Sequence, residues 1–566
     1  VVSGVMMPRS QVRTVRWSFF LGCLLAGLAI AAPQPANNAI ASAHPLATQA
    51  GLDALAAGGN AFDAAVAVSS MLAVVEPASS GVGGGGFYLL HVAASGRDVM
   101  VDGRETAPQA ATRGMYVGAD GRVDDQASKD GPLAAGIPGE PAAWAYLATR
   151  YGRLPLTRSM APAIRVARTG FPLYARLQNA IRVKRERLLA SPEARAVFLL
   201  KGDVPPVGFA IVQKSLASTL ELIAQSDARA FYQGAFAKRM ADGVRRDGGL
   251  WSADDLARYH IVEREPLRIR YRDATIVTAP PPSSGGVVIG DALGILSGYD
   301  FASMGRIDRT HLLIEALRHA YRDRAEYLGD PDFVKVPVEQ LLSPLYAAGQ
   351  RTSIRLDHAM PSAFLRGVDG GEESPSTTHF SILDREGNRV AATQSVNLFF
   401  GATYVIPGTG FLLNDTMDDF SVAAGVPNAF GLVGAEANAI APGKRPLSSM
   451  TPTFVEQDTG LLIIGSPGGS TIITNVLGGV LQWLDGRSAQ EIVAAPRVHH
   501  QYLPDNVTFE SGAFTPEERS ALERRGHHLV ESRSAWGNTQ VVTWNFVTGR
   551  IEAASDPRGF GAGLVY

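Results

Sequence analysis

The stretch that most constrains this chain is the junction Ser374-Pro375-Ser376-Thr377-Thr378-His379-Phe380-Ser381. From Asp357 to Ser376 the sequence is rich in Gly, Pro, Ser and acids and has no apolar period, so residues 357–376 read as a linker. From Thr377 it becomes an alternating strand, followed by the turn Asp384-Arg385-Glu386-Gly387-Asn388 and a second strand over 389–396. A linker that runs straight into a hairpin reads as a boundary. We expect it to be cut between Ser376 and Thr377, leaving Thr377 as a new chain terminus.

A terminal threonine carries its own chemistry. Its hydroxyl is a weak nucleophile, but its α-amine lies close enough to take the proton. A free α-amine has a pKa of about 7.7–8.0, so part of it is unprotonated at neutral pH. An internal threonine lacks this base, because its nitrogen is an amide. The alternative reading of Thr-Thr-His is an ordinary strand start.

The amino terminus resembles an address. Arg9, Arg13 and Arg16 precede an apolar run over 17–31, and Ala29-Ile30-Ala31 offers small residues for cleavage. Residues 1–31 therefore read as a secretory signal peptide, with a retained anchor as the alternative, and the mature protein is expected to be periplasmic or secreted. Cys23, the one cysteine, falls inside this leader, which excludes disulfides, cysteine metal sites and a thiol nucleophile from the rest. A formal net charge of −2 gives no nucleic-acid footprint.

Residues 47–57 and 62–75 form two helical patterns around Gly58-Gly59-Asn60, the second apolar all round and so expected to lie buried against a sheet. The run Gly81-Val82-Gly83-Gly84-Gly85-Gly86 precedes a strand and lacks a P-loop ending, so close backbone packing is expected of it. Arg104 ends a strand and is either exposed beside Glu105 or a fork for a carboxylate. Mainly helix is expected over 133–350, with a strand near 267–278 leading into the turn Pro280-Pro281-Pro282-Ser283-Ser284-Gly285-Gly286. Thr393, Ser395 and Asn397 share one face of the second hairpin strand by alternation. The acids of Asn414-Asp415-Thr416-Met417-Asp418-Asp419 suit a helix cap, a metal or an ammonium group. Ser466-Pro467-Gly468-Gly469-Ser470 opens a helix and offers backbone N–H groups to an anion or an oxyanion, with a tight turn as the alternative. His499-His500 and His527-His528 read as packing or surface residues.

Taken in order, Thr377-Thr378-His379-Phe380-Ser381, Met417-Asp418-Asp419-Phe420-Ser421, Lys444-Arg445-Pro446-Leu447-Ser448-Ser449-Met450 and Gly465-Ser466-Pro467-Gly468-Gly469-Ser470 resemble the γ-glutamyltranspeptidase (glutathione hydrolase) family. Asp102-Gly103-Arg104-Glu105 and the segment 58–65 are similar to it as well. The resemblance implies an α+β fold, the four-layer αββα sandwich of the N-terminal-nucleophile hydrolases, self-cleaved into a large chain (32–376) and a small chain (377–566). It implies that Thr377 attacks the γ-glutamyl carbonyl, with Ser395 supporting it and the amides of Gly468 and Gly469 holding the oxyanion. Arg104, Ser448 and Ser449 then match receptors of the substrate α-carboxylate, and Asn397, Thr416 and Asp419 the α-ammonium side. Implied partners are glutathione or other γ-glutamyl compounds, with water, an amino acid or a dipeptide as acceptor. No cofactor, metal, nucleic acid or lasting membrane span is implied.

Three positions depart from the family pattern. Ser395 stands where a threonine is common, Thr416 where Gln or Glu is usual, and Phe430 at a lid position where bacterial relatives often have Tyr. The competing readings are a cephalosporin (glutaryl) acylase of the same fold and, from another class, an exported solute-binding protein or inactive paralogue. Denaturing electrophoresis separates the last from the rest. We expect two fragments, the smaller beginning at Thr377 by N-terminal sequencing, and one uncut, inactive band for Thr377→Ala.

Overall fold

The computed structural model describes residues 1–4, 34–124, 126–365, 376–422, 426 and 428–566. The expected leader, apart from its first four residues, and linker residues 366–375 lie outside them. Residues 35–566 form one compact unit. Among the described residues no helix is long and apolar enough to cross a membrane.

Two antiparallel sheets form the centre. The first has seven strands, in the order Ala562–Val565, Ala39–Ser42, Thr378–Leu383, Arg389–Ser395, Gly85–Val92, Arg97–Gly103 and Val262–Arg264. The second has six, in the order Ile551–Ser555, Gln540–Asn545, Gly460–Gly465, Thr453–Gln457, Ala274–Thr278 and Leu267–Tyr271. Alternation decides which side chains face which layer. Ala39, Ala41, Phe87, Leu89, Met100, Leu383 and Ala391 of the first sheet pack toward the second, in one cluster with Leu461–Ile464. Ile40, Tyr88, Leu90, Val99, Val101, Ile382 and Val390 pack the other way, onto helices Pro45–Ala56, Ala61–Val75 and Glu140–Arg150. The helices Gly285–Leu296, Arg306–Tyr327 and Thr471–Leu484 join the cluster of the second sheet. The order is helix, sheet, sheet, helix, the expected four layers.

The helix Ala61–Val75 is buried along its whole length, which accounts for its lack of a polar face. Asn60 caps it in a reciprocal box with Asp63, so the Gly-Gly-Asn punctuation is a helix start. The glycine run packs backbone on backbone. A Cβ on Gly83 would lie 2.0 Å from the Leu412 carbonyl oxygen, and one on Gly84 would lie 2.1 Å from that of Ser395. The stretch 267–278 is a hairpin of two strands rather than one, and within the helical region two short helices, Leu156–Ser159 and Ala161–Thr169, meet at Met160.

One buried polar cluster ties a helix layer to the first sheet. Glu140 accepts from Trp144 Nε1 at 3.0 Å, from Ser69 at 2.6 Å and from the Tyr88 hydroxyl. Its second oxygen has no partner among the described residues. Burial pushes its pKa up from 4.5 to about 7. The protonated acid is therefore favoured in the native state. Its contribution is complete below pH 4.5 and disappears as pH rises through about 7. We expect Glu140→Gln to lack this dependence. Thermal unfolding from pH 5 to 8 should show the wild type losing up to about 3 kcal/mol relative to the variant.

Candidate active site

Thr377 precedes the strand Thr378–Leu383, third in the first sheet, with Gln394 paired to Thr378 in the neighbouring strand. The same register sets Ser395 across from Thr377, their hydroxyl oxygens 3.2 Å apart. The Thr377 hydroxyl lies on the carbonyl oxygen of Ser376, its own peptide, and the Ser395 hydroxyl donates to that oxygen at 3.1 Å. Ser376 is fixed in turn by donating to the Ala78 carbonyl at 2.6 Å. Ser376, Thr377 and Ser395 are all buried. Two hydroxyls thus converge on the carbonyl of one peptide bond.

Asn397 departs from the expected alternation. The strand ends at Ser395, and Asn397 adopts φ +79°, a left-handed conformation that asparagine tolerates better than most residues. This turns its N–H onto Ser395 Oγ at 2.8 Å, while its side-chain amide donates to the Asp415 carbonyl at 3.0 Å. Thr393, two residues before Ser395 in the same strand and so on the same face, finds its partner in Nδ1 of His379 at 2.8 Å. His379 is held at about pKa 3 by burial and cannot serve Thr377 as a base. Its ring fills the space where a Cβ on Gly465 would stand, 2.2 Å from the ring carbon.

Gly468 lines one cavity of about 540 Å³ with Thr377, Phe399 and Trp536. Gly468 and Gly469 have φ +138° and +57°, and among the described residues their amides donate to no acceptor. Gly469 lies under Phe430, whose ring would stand 2.3 Å from an added Cβ. Phe430 is itself buried.

The opposite-charge residues are gathered in a second group. Arg104 is 1 % exposed, which corrects the reading of it as a surface residue. It pairs with Asp419, lies 3.2 Å from Glu105, and donates to the Pro446 carbonyl at 3.3 Å. Burial raises the pKa of Asp419 and Arg104 pulls it back down; Glu105 is raised to about 7 by burial. Asp419 ends the 3-10 turn Thr416–Asp419, which starts where Asn397 grips Asp415. Thr416 is fully buried and its hydroxyl donates to Asn414 at 2.6 Å, so its proton is engaged inside the loop. Ser448 Oγ accepts the Met450 N–H at 3.1 Å, and Ser449 Oγ accepts from Arg324 at 3.4 Å. Arg324 was not marked by any sequence motif.

His311, Glu315 and His527 are three metal-type ligands brought close together. Most of their ligand atoms are already engaged, His527 Nδ1 being without a partner among the described residues. His311 Nδ1 is 2.7 Å from His527 Nε2 and His311 Nε2 is 2.7 Å from the Arg355 carbonyl, while Glu315 accepts from Arg318 and Met360. His499, His500 and His527 are buried, while His528 is exposed, in keeping with packing and surface roles.

An αββα sandwich with a threonine at the start of a central strand, hydroxyl against its own preceding carbonyl, defines an N-terminal-nucleophile hydrolase. The chain belongs to the gamma-glutamyltranspeptidase family, whose model matches residues 47–566. It is 42% identical over 525 residues to the glutathione hydrolase proenzyme of Escherichia coli (strain K12), covering 92% of this chain and 90% of that one. It is 38% identical over 512 residues to the acylase ACY 1 proenzyme of Pseudomonas sp. (strain SE83), covering 89% of each. Among solved structures it is similar to a cephalosporin acylase from Bacillus halodurans, with TM-score 0.82, 30% identity and 99% of each chain covered.

Removing the Ser395 hydroxyl leaves the Ser376 carbonyl with one donor fewer. We expect Ser395→Ala to slow conversion of the precursor about 100-fold, by analogy with loss of an oxyanion donor, and Ser395→Thr to mature normally. A time course of band intensities on denaturing gels measures this.

Proposed function

We propose that the protein is a γ-glutamyltransferase and glutathione hydrolase that matures by cutting itself at Ser376–Thr377. The observation that carries the substrate class is the Arg104–Asp419 ion pair beside Ser448 and Ser449. A γ-glutamyl group carries one carboxylate and one ammonium on the same carbon. Inserted here, it exchanges one buried ion pair for two, the carboxylate on Arg104 and the ammonium on Asp419. A glutaryl group brings only the carboxylate. It would take Arg104 and leave Asp419, a half-buried carboxylate, without its cation, which is costly.

In the maturation step the Thr377 hydroxyl attacks the Ser376 carbonyl carbon, and the Ser395 hydroxyl donates to the oxygen as it gains charge. The C–N bond breaks, the amine of Thr377 takes the proton, and water opens the resulting ester. The freed amine then takes the proton as the same hydroxyl attacks the γ-glutamyl amide, and returns it to the departing amine as the amide C–N bond breaks. The unengaged amides of Gly468 and Gly469 suit the second oxyanion. Water, an amino acid or a dipeptide releases the acyl group. Asn397, by holding Ser395 and Asp415 at once, links nucleophile support to the ammonium side. Thr416 contributes less than a longer amide or acid would, since its hydroxyl is turned onto Asn414. Phe430 covers Gly469 as an apolar lid. The two chains are 32–376 and 377–566, and the leader-like residues 1–31 direct export to the periplasm or beyond.

The glutaryl-acylase reading keeps one point in its favour, the likeness to acylases, and the two are separated by substrate. We expect turnover of γ-glutamyl-p-nitroanilide to exceed that of glutaryl-p-nitroanilide, and the reverse would overturn the assignment. Asp419→Asn should lower kcat/KM for the γ-glutamyl compound about 100-fold, the scale of a lost buried charge pair, and lower that for the glutaryl compound far less.

A further inference from the structure

The two serines beside Arg104 are useful to a carboxylate only if they donate. A hydroxyl both donates and accepts, so its neighbours decide which it does toward a ligand. Ser448 Oγ accepts the Met450 N–H at 3.1 Å. Ser449 Oγ accepts from the Arg324 guanidinium at 3.4 Å. Both partners are donors only, so each serine has its own proton left for a ligand.

Arg324 reaches further than Ser449. Its Nε donates to Ser284 Oγ at 3.0 Å, and Ser284 donates through its hydroxyl at 2.8 Å and its N–H at 2.7 Å to the Ser448 carbonyl. Ser448 N–H returns a bond to Pro282 at 2.8 Å. The Pro-Pro-Pro-Ser-Ser-Gly-Gly turn, to which the sequence assigned no chemistry, is thereby the brace of the serine pair. A Cβ on Gly285 would meet Thr451 Oγ1 at 1.7 Å, which keeps that turn pressed against the 448–451 segment.

Arg324 is only 5 % exposed and, among the described residues, forms no ion pair. Burial lowers its pKa to about 10, with Asp419 acting in the opposite sense. A buried guanidinium held by hydroxyls alone is a poor choice for stability, since a hydrophobic side chain would avoid the desolvation cost. Its fork geometry, which bonds two serines on separate loops at once, gives it a use that packing does not.

We propose that Arg324 is a positioning residue of the carboxylate receptor: it fixes Ser449 directly and Ser448 through Ser284, so that both hydroxyls donate to the carboxylate of the acyl donor. This rests on the γ-glutamyl reading and adds to it the residue that sets the direction of those protons. It predicts a defect confined to one end of the substrate.

The test uses the matured two-chain protein and competitive inhibition of γ-glutamyl-p-nitroanilide turnover. Relative to glutamate, glutarate keeps the α-carboxylate position and lacks the α-ammonium; 4-aminobutyrate keeps the ammonium and lacks the α-carboxylate. Arg324→Lys retains charge but cannot span Ser284 and Ser449. We expect it to mature, to raise KM and weaken glutarate about tenfold, to leave 4-aminobutyrate within about twofold, and to keep kcat within about threefold. Ser284→Ala, which cuts only the indirect arm, should show the same pattern at lower amplitude. Equal weakening of both inhibitors, loss confined to 4-aminobutyrate, or failure of both variants to mature would overturn the proposal. A wild type without γ-glutamyl turnover would instead refute the function on which it rests, and the proposal would fall with it.

Discussion

The structure depends on the register between two neighbouring strands of the first sheet. Gln394 opposite Thr378 brings Ser395 to Thr377, and a slip of one residue would turn every side chain of the strand to the other face. Close packing of differently sized side chains on both faces resists that slip. Leu383 and Ala391 are buried toward one layer, Ile382 and Val390 toward the other. The chemistry is therefore positioned by packing that has no chemical role of its own. The glycine at 84, which admits the Ser395 carbonyl, belongs to the same constraint.

Charge is arranged around this apolar frame with few spare groups. Arg104, Glu105 and Arg324 are buried and Asp419 keeps 12 % of its side chain exposed, and each is engaged by another member of the set or by a serine. Low dielectric strengthens each of these contacts and makes each unpaired state costly. A pocket of this kind discriminates by what it would leave unpaired. That is a stronger basis for selecting one acyl group over another than shape alone.

Much of this was legible in the sequence, for reasons that differ from residue to residue. The all-apolar helix at 61–75 announced its burial, and the linker running into a strand announced Thr377. Gly468 and Gly469 were visible because a turn opening a helix has few local solutions. Asn397 was misplaced in the alternation because the strand ends at Ser395, beyond which Asn397 takes a left-handed conformation. Arg324 could not be found at all. It lies in a helix dense with charge, Arg306–Tyr327, where arginine ordinarily reads as a solvent face. Its burial is created by loops at 282–284 and 448–449, and no local pattern carries that information. The Glu140 cluster escaped for the same reason, since its members come from distant segments.

The first sheet also alternates segments from the two sides of residue 376. Ala39–Ser42 is inserted between Ala562–Val565 and Thr378–Leu383, and Asn38 and Tyr566 exchange backbone bonds beside it. The second sheet is mixed in the same way, with Ala274–Thr278 hydrogen-bonded to Thr453–Gln457. Once severed, the halves are woven together like the fingers of clasped hands. Neither could be exchanged for a fresh copy without unravelling the whole, so each molecule would keep for life the partner it was translated with.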